Sequence, residues 1–358
     1  MENGNVAMRL DPTACSTVNF MACEAPILVV VVDTEAEFDW TKPVSRRSNS
    51  VSTVRQQQQV HRVFSRYGVR PTYVLDYPVS SQVVGYQPIR ELYEAGLCEI
   101  GAHLQPWDTP PFEEAETEAN SYAGNLPPAL EREKLARLSD KIAETIGRRP
   151  RIYKAGRYGF GPATPRILAE LGYEVDLSIL PLTDLRTSSG PDYRAIDAKP
   201  FWFGECPHLL EVPMSVGYLG ALSSCGPKLY GFLNSDWGKR IHLPGIFARL
   251  HLLDRITLTP EGVPFEEHCR LTKALMRRGH RVFSFTYHSP SLAPGNTPYV
   301  RTEADLRVFL RRIEQYLDFF FGALGGRALT PLELRDFILA RQDRTRTTAR
   351  STCEGHTL

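Results

Sequence analysis

At 358 residues the chain has room for one α/β domain of the barrel class, which commonly takes about 250 residues, with decorations to spare. Its 42 Lys and Arg against 41 Asp and Glu leave a net charge of +1, so no global field draws it to nucleic acid or an anionic membrane, and recognition must be local. Seven scattered cysteines without a C-x-x-C pair argue against a zinc ribbon and a disulfide framework and suit a reducing cytoplasm.

No stretch approaches the roughly 20 apolar residues of a membrane span, and the polar residues after Met1 leave no apolar core of signal-peptide length, so a cytoplasmic protein is expected. Residues 1–24 read as a disordered tail. The run Ile27-Leu-Val-Val-Val-Val-Asp-Thr-Glu35 then reads as a parallel strand covered on both faces, ending on two carboxylates. Val60, Val63 and Phe64 at helical spacing mark a helix over Val54–Tyr67, closed by Gly68. Strands over Val69–Asp76 and Cys98–His103 flank a short helix at Ile89–Ala95. A helix over Pro128–Ile146, stopped by Gly147, precedes a strand over Ile152–Arg157. Thr164–Leu171, with Pro165 in its first turn, leads to a strand at Val175–Ile179. Residues 181–259 read as an insertion of short strands and Gly/Ser-rich turns, including a strand over Leu209–Pro213. A helix over Phe265–Arg278, a strand over Arg281–His288 and an amphipathic helix over Thr302–Ala323 complete a barrel domain at 25–340. Residues 341–358 read as a second disordered tail. The alternation implies an α/β domain of parallel strands with right-handed crossovers. Polar strand ends then converge on one face.

Four motifs sit at those ends: Asp33-Thr-Glu35, Gly101-Ala-His-Leu-Gln-Pro-Trp-Asp108, Tyr153-Lys-Ala-Gly-Arg-Tyr-Gly159 and Tyr287-His-Ser-Pro290. An acid pair, a histidine, a Lys/Arg pair and a second histidine in this order point to a catalytic site rather than to packing. No phosphate loop of the G-x-x-x-x-G-K-[ST] or G-x-G-x-x-G type is present. From about Ala25 to Phe337 the chain resembles the polysaccharide deacetylases of the NodB-homology type, carbohydrate esterase family four, and within them the WalW-like subgroup.

The resemblance implies a distorted (β/α) barrel of about seven parallel strands and a metal-dependent hydrolase that removes an acetyl group from an acetamido sugar or related small amide. Asp33 would be the general base, Glu35 and His103 metal ligands and His288 the acid for the leaving amine. Of the two cations in the third motif, Arg157, able to fork onto a carboxylate, is the expected partner of Asp33. Trp107, Lys154 and Asp176 take supporting places. Where the subgroup pattern has a second histidine this chain has Gln105, which leaves Gln105 and Asp108 as candidate metal or substrate contacts. The implied cofactor is a divalent ion, zinc by family precedent, and the implied partner a small-molecule or glycan substrate. The loss at Gln105 also opens a non-catalytic glycan-binding or scaffold protein as an alternative. Hydrolysis of non-sugar C–N bonds is another.

Overall fold

The computed structural model describes residues 15–205 and 209–354. Seven parallel strands form its centre: β1 (Ile27–Thr34), β2 (Thr72–Leu75), β3 (Glu99–Leu104), β4 (Ile152–Ala155), β5 (Val175–Asp176), β6 (Leu209–Glu211) and β7 (Val282–His288). They lie in chain order from β1 to β6, with β7 on the other side of β1. Between β6 and β7 the wall is continued by irregular chain. Met214 N donates to Ile179 O at 3.0 Å, Leu258 N to Ser215 O at 2.9 Å and Thr286 N to Leu258 O at 3.4 Å. The result is the curled sheet of a distorted barrel.

Period two along β1 divides its buried residues between two cores. Leu28, Val30 and Val32 pack outward among the covering helices, while Ile27, Val29 and Val31 face the barrel interior with Val74, Ile152, Val175, Leu210 and Val282. Continuing the inward rows along the strands places Asp33, Lys154 and His288 on the same side as Val31, Ile152 and Val282. His103 follows Gly101 on β3 in the same way. A Cβ on Gly101 would lie 2.7 Å from Val74 Cγ1 and 3.0 Å from Ile152 O, so the interior has no room for a side chain there.

Several boundaries differ from the sequence reading. Of the expected tail at 1–24, residues 1–14 lie outside the described residues, and the rest is ordered: Ser16–Thr17 pairs with Phe201–Trp202 and Val18 N donates to Pro200 O at 2.8 Å. The helix over Pro331–Glu354 runs through most of the expected C-terminal tail, and 355–358 lie outside the described residues. Within 181–259, Leu209–Glu211 belongs to the main sheet, so the segment is not wholly an insertion. Its later part is helical, over Gly226–Leu233, Asp236–Arg240 and Leu243–Arg249, where short strands and turns were expected. The Val216–Leu219 strand pairs with Asp254–Thr257 as a separate ribbon.

Gly101→Ala should lower stability by roughly 1–3 kcal/mol through overpacking, seen as a lower urea midpoint.

Candidate active site

The inward row delivers its chemistry at the strand tips. Asp33 and His288 are register partners on β1 and β7, and His103 and Lys154 on β3 and β4. Lys154 Nζ lies 2.6 Å from both oxygens of the Asp33 carboxylate and 3.3 Å from Thr286 Oγ1. The pairing expected of Arg157 is thus made by Lys154. The strand ends at Ala155, and the turn that follows holds Arg157 at φ 54°, off the inward row. Its guanidinium donates to Ser121 Oγ at 2.7 Å and stacks over the Tyr122 ring at 4.6 Å.

Burial opposes ionisation of Asp33, but Lys154, His103 and His288 outweigh it and hold the carboxyl below its ordinary range. His288 Nε2 stands 3.7 Å from Asp33 Oδ2, and its Nδ1 is 2.8 Å from Glu261 Oε2. Burial disfavours the imidazolium, yet Glu261, Glu35 and Asp33 together raise the His288 pKa to about 10. Glu261 was absent from the expected set. It lies in the loop before the Phe265–Arg277 helix, where no strand end or motif marks it. Ser291 Oγ and the His288 backbone N–H donate to its other oxygen.

Glu35 is fixed through its backbone: its N–H donates to Ser289 Oγ at 3.1 Å, and the next N–H, of Ala36, to Asp76 Oδ2 at 2.6 Å. Asp76 also caps the Tyr77–Ser81 helix through Val79 N at 2.8 Å. It ends the strand read over Val69–Asp76, a signal equal in kind to Asp33. Burial, with Glu35 nearby, raises its pKa to about 7. The Gln105 amide donates to Glu35 Oε2, and His103 Nε2 lies 3.5 Å from that oxygen. The other nitrogen of His103 is 3.1 Å from the Lys154 carbonyl, which can only accept, so Nδ1 carries a proton. Asp108 points elsewhere: its carboxyl accepts from Thr109 Oγ1 at 3.1 Å and is driven well up by burial and by Asp76. Asp176 binds Ser178 Oγ, which accepts from Ala155 N at 2.8 Å, so it braces the end of β4 from behind.

Above the tips opens a cavity of about 760 Å³, walled by Phe38, Trp40, Trp107, Tyr122, Tyr158 and Tyr299. Trp40 stacks on Phe38 at 5.2 Å and sets its face or edge against His288 at 4.9 Å and Tyr299 at 5.9 Å. The loop bearing Trp40 is pinched at its base by Glu37, which accepts from Ser50 Oγ at 2.6 Å and Thr53 N at 2.7 Å. Its far side is tied to the opposite rim by Arg46, whose N–H donates to Glu116 Oε2 at 3.2 Å. The loop after Gln105 is held from below by Lys134, buried, donating to the carbonyls of Pro106 (2.9 Å), Thr109 (2.6 Å) and Pro111 (2.7 Å).

No family model matches the chain, and no curated protein matches it by sequence. By fold it is similar to a protein from Mycobacterium smegmatis provisionally described as a polysaccharide deacetylase, at TM-score 0.51 and 17% identity, covering 91% of this chain and 94% of that one. It is also similar to the peptidoglycan deacetylase PdaC from Bacillus subtilis (TM-score 0.40, 12% identity, 91% and 98% covered). A family 4 carbohydrate esterase from Streptomyces lividans gives TM-score 0.39 at 10% identity, with 85% and 91% covered. At these identities the likeness speaks to the fold.

Lys154→Met strands the Asp33 carboxylate in the interior and should cost about 3–5 kcal/mol in urea unfolding at neutral pH, part of it recovered by adding Asp33→Asn. For His288, a folded pKa above the free value means stabilisation that is complete below about pH 6.5 and lost as pH rises through about 10. Glu261→Gln should move that upper limit down, read from the imidazole proton shifts in an NMR titration.

Proposed function

We propose that the chain is a hydrolase that removes an acetyl group from an acetamido sugar or a related small amide. The observation that carries this reading is the meeting, 3.7 Å apart, of a carboxylate held ionised by a buried lysine and an imidazole held protonated by a second carboxylate. Amide hydrolysis needs both groups: a base for the attacking water and an acid for the poor nitrogen leaving group. Asp33 would take the water proton, with Lys154 keeping it ionised at some cost in basicity. His288, oriented by Glu261, would hand its Nε2 proton to the departing nitrogen, and proton exchange with solvent would then return the proton taken by Asp33 and restore the imidazolium. The aromatic walls suit the apolar faces of a sugar ring, and the cavity has room for a small glycan.

Among the described residues no group of three His, Cys, Asp or Glu side chains converges on one point. His103 Nε2, 3.5 Å away, and the Gln105 amide both approach Glu35 Oε2, a set of mixed type. Glu35 Oε1 and Gln105 Oε1 are buried without a hydrogen-bond partner, which is costly for two oxygens unless something accepts their lone pairs. That set fits a divalent ion, zinc being one that imidazole and carboxylate accept, held less tightly than by two histidines. When bound, the ion would polarise the amide carbonyl. Gln105 donating to Glu35 is the observation that favours the second reading, a glycan-binding protein whose ligand pair has closed on itself.

Acetate release from N-acetylglucosamine and its short oligomers, assayed with zinc, manganese, cobalt and nickel, decides between them. Activity in the parent chain, reduced about 10²–10⁴-fold by Asp33→Asn, is the expected result. Glycan binding without acetate release, and without stoichiometric metal, would establish the second reading instead. Gln105→His should tighten metal binding in equilibrium dialysis.

A further inference from the structure

Away from the cavity, the helices over Gly226–Leu233, Asp236–Arg240 and Leu243–Arg249 are apolar on both sides. Inward, Leu233 joins Tyr218 and Leu253 in a small core of its own, with Leu229, Tyr230 and Phe247 packed around it. Outward, Phe232, Trp237, Ile241, Ile246 and Leu250 are 43–62% exposed. The Phe232 and Trp237 rings touch at 5.9 Å, and Ile246 and Leu250, four apart, share a helical face. Large apolar side chains clustered on an exposed face mark a surface that rests against an apolar phase.

The charge around this patch selects the phase. Residues 223–253 hold four Lys or Arg (228, 239, 240, 249) and one acid, Asp236, a net of +3 in a chain whose total is +1. Lys228, Arg240 and Arg249 are exposed among the apolar residues. A second copy docking by a two-fold axis would set this patch against itself, +3 facing +3, which opposes self-association. An anionic bilayer satisfies both features, taking the aromatic and aliphatic tips into its interface and the cations at its headgroups. Among the described residues no helix is long and apolar enough to cross a membrane, so the contact is a surface one.

The segment is also coupled to the cavity rim. Arg255, on the ribbon that carries the helices, donates to the Leu182 carbonyl at 3.1 Å, three residues before Leu185 in the cavity wall. We propose that residues 226–250 are an interfacial membrane-docking surface specific for anionic lipid, which holds the barrel at a bilayer. The inference stands on this surface alone and does not require the chemistry assigned to the cavity.

Flotation of the full chain with neutral phosphatidylcholine vesicles, and with vesicles containing phosphatidylserine, tests it, with Trp fluorescence as a second readout. The expected result is partition into the anionic vesicles with a blue shift, weakened by added salt. It should fall by at least about tenfold in Trp237→Ser/Leu250→Ser, two exposed positions whose replacement leaves the melting curve unchanged. Equal partition into both vesicle types, partition into neither, or a dimer in sedimentation that the same double variant abolishes would each overturn it.

Discussion

The candidate site depends on one buried ion pair. Lys154 and Asp33 sit on strands separated in the sheet by two others, β2 and β3, so their side chains can meet only because the sheet curls and both point across its interior. Burying two charges costs several kcal/mol per ion, and an apolar pair would fill the space more cheaply. Both oxygens of Asp33 are nevertheless satisfied by one ammonium. The same contact fixes the tip of β4 beside β3, whose His103 is steadied by the Lys154 carbonyl. Charge, strand curvature and the orientation of the imidazole are therefore one arrangement rather than three.

Around that pair, environment separates groups of the same kind. Asp33 is held low by its cationic neighbours, Asp76 is raised to about 7 while accepting two backbone N–H groups, and Asp108 is driven well up by burial and by Asp76. The protonation states follow from burial and partners, not from residue type. Asp76 and Ser289 hold the backbone on the two sides of Glu35, so the carboxylate has little freedom even without a ligand. The rim is built to the same end, with the Trp40 loop tied at Glu37 and at Arg46 and the Gln105 loop carried on Lys134. Side chains that face the cavity are thus supported by residues that do not.

Strand composition and period two made the barrel legible from the sequence, because a strand buried on both faces can be built only from residues such as those of Ile27–Val32. The same periodicity, counted from Ile152, puts Lys154 inward and Arg157 off the row. The forked guanidinium suits Arg157 to a carboxylate by side-chain chemistry, but the backbone decides the pairing and turns Arg157 aside. Asp76 was visible as a strand-end acid but lacked a second residue to mark it. Glu261 carried no local signal, since its role comes from a contact with His288, 27 residues away in sequence. The helices of 226–249 were obscured by their Gly and Pro content and by apolar residues on every face, which erase the amphipathic period. The terminal segments were judged on polarity, yet Ser16–Thr17 is ordered by backbone pairing that needs no apolar side chain.

Gln105 is where the physics of the site is most finely balanced. An imidazole there would add a strong nitrogen donor, whereas an amide offers one weak oxygen and two N–H groups, one of which already answers Glu35 Oε2. If that hydrogen bond were the whole purpose of Gln105, the amide oxygen and the second Glu35 oxygen should have found partners too. Both remain buried and unpaired, while the Nδ1 proton of His103 leaves its Nε2 free, 3.5 Å from the other oxygen of Glu35. A protein interior does not hold two such oxygens together without cost. A bound cation would relieve that cost, and an amide, a weaker donor than an imidazole, would hold such a cation less tightly.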